Sequence, residues 1–460
     1  MFSKDIYITR REILKKEIGS GIILLLGNDE SPMNYADNTY HFRQDSTFLY
    51  YFGLDFAGLN AIIDADGGSE IIFGDELTID HIVWMGTQPT IKEKTESVGV
   101  NTTAPTSRLR EVLSSAKMQN REIHFLPPYR SANKIKLFNL LDIPLSKTNE
   151  RASLELVKAV IKQREIKSEE EVVEIEKAVD ISVDMHVMAM KTVRSGITEA
   201  QVASKVREVA LSYNSEVAFP IIATVNGQTL HNHYHGNTLT SGKMFLLDAG
   251  AESTMHYAGD LSSTMPVDKK FTERQKVIYN ITLEAHEAAI KQLRPGNEFR
   301  NAHLAAAHVI ASGMKDIGLL KGDINEAVAE GAHAMFFQCG TGHMMGLDVH
   351  DMEDLGEVWV GYDGEPKSTE FGLKSLRLAK KLKAGFVLTI EPGIYFIPEL
   401  IDLWKAEKKF ADFIDYKELE KYKDFGGIRN EEDFLITDTG ARRLGKEKPK
   451  KIEDVEALHC

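Results

Sequence analysis

Apolar residues along this chain follow helix and strand spacings by turns, and the longest helical run opens at residue 168. From there Val172, Ile175, Val179, Val183 and Val187 recur every three or four positions, as on one face of a helix. Ser168-Glu-Glu-Glu171 ahead of them has the capping-box pattern, in which hydroxyl and carboxylate exchange hydrogen bonds with the N–H groups of the first turn. A second box, Thr198 to Gln201, opens a helix over residues 202–213. A third, Thr272 to Gln275, opens one that runs to about residue 293 and stops at Arg294-Pro295-Gly296. An alanine-rich helix follows over 301–317. Strand-length apolar runs lie between and after these helices, at 219–225, 244–247, 261–267, 386–390 and 434–437. Helices then strands, twice over, predict an α+β domain with two similar halves, although no clean internal repeat is present.

The first third reads as a smaller α/β domain. A charged helix over 10–17 precedes a strand over 21–26, an aromatic segment ends at Phe52, and further strands follow at 60–64 and 70–73. Asp37, Arg43 and Asp45 read as a salt-bridged corner rather than a site. The polar segment from Lys162 to Lys167 has the character of an exposed linker, which sets domains at 1–165 and 166–460. Residues 358–384 and 399–425 are long polar stretches and read as surface insertions at the rim of a site or at subunit contacts.

Composition narrows the partners. With 460 residues, 43% hydrophobic and 27% charged, the chain has the make-up of a soluble protein of two or three domains. A net charge of −14 argues against nucleic acid or an anionic membrane. Only two cysteines occur, Cys339 and Cys460, so a reducing compartment is expected. The N-terminus has no apolar core of signal-peptide length, and the cytoplasm is the default.

The candidate chemistry begins at residues 244–267, MFLLDAGAESTMHYAGDLSSTMPV, which read as an antiparallel pair of strands bringing Asp248 and Asp260 to a common point. Two buried carboxylates there would repel each other unless a cation lay between them. The plainer reading is that each Asp starts a turn. Other stretches fit the same picture: His343 between glycines, Glu391 at the end of an apolar run before Pro392-Gly393, and Glu431 in Asn-Glu-Glu-Asp ahead of a strand. A hydrogen-bonded turn, a strand-end charge and a solvated acid are the respective alternatives. Leu230-His-Asn-His-Tyr-His235 places His231, His233 and His235 on one face if extended. Four carboxylates and one imidazole would be neutralised by two divalent ions. Mostly oxygen ligands favour Mn(II), and the lack of nearby thiolates argues against structural zinc. A pair of such ions shares a hydroxide nucleophile and polarises a carbonyl, so hydrolysis is the implied reaction.

Asp248 in LLDAG, Asp260 in YAGDLSST, His343 in GTGHMMGLDVHD, Glu391 in TIEPGIY and Glu431 in GIRNEED, in this order and at these separations, closely resemble the five ligands of the pita-bread metallopeptidases. Within that group the chain is similar to the Xaa-Pro aminopeptidases, and YHFRQDSTFLYYFG at 40–53 resembles the signature of their non-catalytic N-terminal domain. The resemblance implies a C-terminal pita-bread catalytic domain behind an N-terminal α/β domain of the creatinase and aminopeptidase P type. It implies that Asp248 chelates one metal ion, that Asp260 and Glu431 bridge both, and that His343 and Glu391 complete the other. His231 and His350 are then substrate-contacting histidines, Arg429 stands beside the bridging glutamate and holds Glu431 or Asp260, and Glu391 shuttles a proton. The implied activity is release of the N-terminal residue from peptides with proline second, by a hydroxide bridging two metal ions, in a homo-oligomer. A dipeptidase restricted to Xaa-Pro is the alternative, and a non-catalytic binding protein is disfavoured because all five ligands are present. Cys339 departs from the pattern, since a histidine commonly stands four residues before the metal-binding one; a buried thiol is the expectation there. His233 and His235 either shape the leaving-group pocket or lie in solvent.

Overall fold

The computed structural model describes residues 1–459, and Cys460 lies outside the described residues. The chain divides into two compact units, one formed by Met1–Arg164 with Met352–Gly356 and the other by Glu165–Asp351 with the chain from Glu357 onward.

The first unit is built on a five-stranded sheet. Its strands are β1 (Ile22–Leu26), β2 (Asn60–Asp64), β3 (Glu70–Phe73), β4 (Thr103–Ala104) and β5 (Ile123–Phe125), in the spatial order β4-β3-β2-β1-β5. Every residue of β1 from Ile22 to Leu25 is buried, which marks a central strand covered on both faces. One face packs Ile22, Leu24, Ile62 and Phe73 with Leu113 and Leu137 of the helices Leu109–Met118 and Ser131–Leu141. The charged N-terminal helix runs from Lys4 to Ile18, longer than its apolar spacing alone suggests. Asp45 caps the helix Ser46–Phe52 by accepting the Phe48 N–H, and Arg43 donates to Ser46 Oγ, so this corner is structural.

The second unit sets two helix pairs against short strands. All three capping boxes form and open the helices Glu169–Thr192, Glu199–Ser212 and Glu273–Ile290. The alanine-rich helix is Phe299–Asp316, and its small side chains let it pack closely on Glu273–Ile290. The strands are β6 (Glu216–Val217), β7 (Ile222–Thr224), β8 (Met244–Asp248), β9 (Ala251–Glu252), β10 (Ser262–Pro266), β11 (Val387–Ile390), β12 (Gly393–Tyr395), β13 (Gly427–Arg429), β14 (Glu432–Ile436) and β15 (Ala441–Arg443). They form the sheets β10-β8-β7 and β11-β14-β15 and the pairs β12-β13 and β6-β9. The antiparallel pairing of β8 with β10 is the one expected from the pattern, with Asp248 opposite Ser262.

Three expectations are corrected. Lys162 to Lys167 is no exposed linker: Arg164, Glu165 and Lys167 are buried, and in the second unit Glu165 pairs with Lys380 at 2.6 Å while Lys167 pairs with Asp351 at 2.7 Å. Each charge is tolerated because its partner is buried with it. The run 219–225 keeps only Ile222–Thr224 as strand, since it is the part that pairs with β8. The two polar insertions also hide apolar anchors: Tyr362 and Leu376 in one and Ile401, Trp404 and Leu419 in the other are buried, and Phe371 meets Trp404 edge-on with ring centroids 5.6 Å apart.

Replacing Ser168 by alanine removes the hydroxyl that accepts the Glu171 N–H, and should lower stability by about 1 kcal/mol. A shift of the urea midpoint for the second unit reads this out; an unchanged midpoint would mean the box contributes nothing.

Candidate metal centre

The geometry starts from two glycines. An added Cβ at Gly250 would lie 1.8 Å from the carbonyl oxygen of Gly259, and one at Gly259 would lie 2.8 Å from the backbone nitrogen of Val179. The Asp248-Ala-Gly250 and Gly259-Asp260 segments therefore run back to back against the helix Glu169–Thr192, a closeness no side chain permits. His186 of that helix fastens them, with Nε2 on the Ala249 carbonyl at 3.0 Å and Nδ1 on Ser263 Oγ at 2.8 Å. Burial pushes His186 down to about 3, so it stays neutral, donating through one nitrogen and accepting through the other.

On this frame four carboxylates and an imidazole converge. Asp260, His343 and Glu431 present ligand atoms within 4.8 Å of one another, and all three are buried. His343 Nε2 lies 3.3 Å from Asp260 Oδ2 and 3.5 Å from Glu391 Oε1. Its Nδ1 lies 3.0 Å from the Met344 carbonyl, which only accepts, so Nδ1 carries a proton and Nε2 is the nitrogen turned towards the two carboxylates. That arrangement calls for a cation. Asp260 Oδ1 is buried with no hydrogen-bond partner among the described residues, as a vacant ligand oxygen would be. The donor set fits divalent ions with a preference for oxygen.

The electrostatics agree. Burial first, and then Asp248, raises the carboxyl of Asp260 well above the usual carboxylate range. Glu431 is raised by burial and by Asp260, Glu391 and Asp248. Glu391 is raised by burial, against the pull of His343 and Arg429. Arg429 is the cation nearest the set. Desolvation works against its charge, but Tyr395, Asp248 and Glu391 outweigh it. Its guanidinium donates to Asp248 Oδ2 at 2.5 Å, to Tyr395 Oη at 2.9 Å and to Ser262 Oγ at 2.9 Å. This corrects the expectation that Arg429 holds Glu431 or Asp260: it grips Asp248 and reaches Glu431 only through Ser262, whose hydroxyl donates to Glu431 Oε2 at 2.8 Å.

The cavity above these ligands is also lined by His231, His233, His350, Cys339, Ser375 and Arg377. The His350 ring packs against that of His343 at a tilt of 59°, with centroids 4.1 Å apart. His231 is lowered by burial and by Arg429, which favours neutral imidazole. His235 does not join this lining: it turns back to the Ile221 carbonyl, so the alternation delivers two histidines of three. Cys339 is half-buried, and burial with the nearby Glu391 pushes its thiol up to about 12, which keeps it protonated.

Four contributors were not singled out by the sequence pattern. Asp433 accepts the Asp260 N–H at 3.1 Å, and Tyr395 braces Arg429. Lys448 lies buried against Ser263 Oγ and the Ser262 carbonyl, lowered to about 8 by desolvation. Arg377 enters the cavity from a stretch read as surface insertion. Asn430 to Asp433 looked like a solvated acidic run, yet all four residues are buried.

Comparison with known proteins places this geometry in a family. Residues 173–438 match the model of metallopeptidase family M24, and residues 7–124 match that of the aminopeptidase P N-terminal domain. The chain is 29% identical to human Xaa-Pro dipeptidase over 452 residues, covering 95% of this chain and 88% of the relative. It is 28% identical to the Xaa-Pro aminopeptidase of Escherichia coli over 471 residues, covering 99% and 98%. Among solved structures it resembles aminopeptidase PepP of Pseudomonas aeruginosa with a TM-score of 0.82 at 25% identity, covering 99% of this chain and 98% of that one. Proline aminopeptidase P II of Yersinia pestis gives a TM-score of 0.82 at 27% identity, covering 99% of each chain.

Metal removal tests the fit. In the metal-free protein Asp260 and Glu431 titrate above their unfolded values, so the folded state binds more protons, and the stability this adds is lost as pH rises from the ordinary carboxylate range through the raised ones. Chelator-stripped protein should therefore melt at falling temperature as pH rises above the ordinary carboxylate range of about 4, and saturating Mn(II) should abolish the fall. A melting temperature independent of both pH and metal would contradict the site.

Proposed function

Because the chain belongs to metallopeptidase family M24, we propose that it is a metal-dependent exopeptidase that cleaves the bond before proline, releasing the N-terminal residue from peptides with proline second. The observation carrying this reading is the convergence of Asp260, His343 and Glu431 on one buried point, with Asp248 and Glu391 beside them. These five residues would hold two divalent ions, for which the donor set favours Mn(II). When bound, the ions supply a hydroxide nucleophile and polarise the scissile carbonyl.

The remaining work falls to the chain's own side chains. The amide before proline is tertiary and has no N–H to donate, so the substrate must be placed through its other groups. His231 and His350 line the cavity and offer imidazole donors to the substrate backbone. Glu391 lines the same cavity, where its carboxylate would relay a proton to the leaving prolyl nitrogen. Arg429 and Ser262 keep Asp248 and Glu431 in register through charge-assisted bonds.

One observation favours the dipeptidase reading. Arg377 places a guanidinium in the wall of the same cavity, close enough for its charge to act on His231. A guanidinium there is suited to the terminal carboxylate of a short substrate, which a longer peptide carries further away. Assembly into a homo-oligomer through the N-terminal unit and a cytoplasmic location belong to the proposal as well. No helix among the described residues is long and apolar enough to cross a membrane.

The test is hydrolysis of an Xaa-Pro-Xaa tripeptide and an Xaa-Pro dipeptide by stripped protein, with and without Mn(II). Metal-dependent cleavage of the tripeptide supports the aminopeptidase, and cleavage of the dipeptide alone supports the dipeptidase. In the latter case Arg377→Ala should raise the KM for dipeptide by about tenfold, the order expected for one charge-assisted contact. No cleavage of either peptide by fully metal-loaded protein would sink the proposal.

A further inference from the structure

His350 stands in neither a helix nor a strand but in the irregular turn between Met344 and Asp351. The turn is pinned at three places. The Gly346 carbonyl accepts the Ala258 N–H at 2.8 Å, two residues from Asp260. The Gly346 N–H donates to the Asp348 carbonyl at 3.0 Å, and the Asp351 N–H to the Met344 carbonyl at 2.9 Å. The side chain of Asp351, one peptide bond beyond His350, adds to these backbone pins. Its Oδ2 meets Lys167 Nζ at 2.7 Å, with both side chains 1% exposed, and its Oδ1 accepts the Asp348 N–H at 3.3 Å.

This pair is costly chemistry for a structural rivet. A buried lysine and aspartate give up their hydration, and an apolar pair of the same volume would join the two segments as well or better. The ion pair adds direction instead, since Nζ must meet a particular carboxylate oxygen. The surroundings are shaped to keep that geometry. A Cβ at Gly346 would lie 2.7 Å from Asp351 Oδ2 and 2.8 Å from Lys167 Cε, so any side chain there would push against the pair. Lys167 is anchored in turn by its own N–H, which donates to the Gly385 carbonyl at 2.8 Å.

We propose that Lys167 and Asp351 are positioning residues for the reaction, and that their buried ion pair sets His350 against the His343 ring. The inference rests on the reading of His350 as a substrate-contacting residue. Neither Lys167 nor Asp351 touches the substrate; both act by fixing the backbone that carries His350.

The experiment is a double-mutant cycle on the full-length, Mn(II)-loaded enzyme, with whichever Xaa-Pro peptide the wild type cleaves. Lys167→Met and Asp351→Asn are each made alone and in a His350→Ala background, and metal content and melting temperature are measured for every variant. Each single change should lower kcat about tenfold or more, as expected when a contacting group is displaced, with bound metal unchanged. In the His350→Ala background neither should lower it further, because the group they aim is gone. Losses that multiply in that background would overturn the proposal, since the pair would then act on the fold. If His350→Ala alone leaves turnover unchanged, the reading of His350 fails, and the positioning role fails with it. Where the unpaired charge of a single variant prevents folding, the apolar double variant Lys167→Met with Asp351→Leu takes its place. It should regain the wild-type melting temperature while kcat stays low; recovery of both would overturn the proposal.

Discussion

The repulsion among buried carboxylates governs this molecule. Asp248, Asp260, Glu391 and Glu431 share one cavity, and three of them are raised by burial and by their neighbours. An unpaired buried charge costs several kcal/mol, and one arginine does not offset four acids. Ions held at a thousand times their dissociation constant would return about 4 kcal/mol of stability. The same crowding of negative charge favours a divalent cation among these carboxylates.

The surrounding framework keeps that repulsion from dispersing the site. The Gly250 and Gly259 contacts hold the two aspartate segments against a helix, and His186 fixes both from behind. Arg429, Ser262 and Tyr395 form one chain of hydrogen bonds from Asp248 to Glu431. Thr389 adds another, accepting the His343 N–H at 3.2 Å while its hydroxyl lies 3.5 Å from Glu391. Lys448 brings a second positive charge up to β10 from outside the cavity. A reaction that depends on fixed dipoles and ligands gains from this rigidity, because little reorganisation is left for the reacting complex.

Much of this was legible in the chain, and what was not has a common cause. The capping boxes at Ser168, Thr198 and Thr272 are local codes, and each formed where it was read. Asp248 and Asp260 stood out because an acid at the edge of an apolar run conflicts with its setting. The partner of Arg429 could not be read in the same way, since Asp248 lies 181 residues away. Lys167 and Asp351 are separated by 184 residues, and each taken alone looks like a solvent-facing charge. Arg377 was hidden for a related reason: a polar insertion reads as surface until buried residues such as Tyr362 and Leu376 show which way it folds. Local pattern reports what a segment is, whereas pairing across the fold decides what a charge does.

The most direct test of the account is the anomalous scattering of crystals grown from stripped protein and soaked in Mn(II). Two peaks inside the ring formed by Asp248, Asp260, His343, Glu391 and Glu431 are the result it predicts. Crystals with manganese bound only elsewhere, and this ring without a peak, would contradict it.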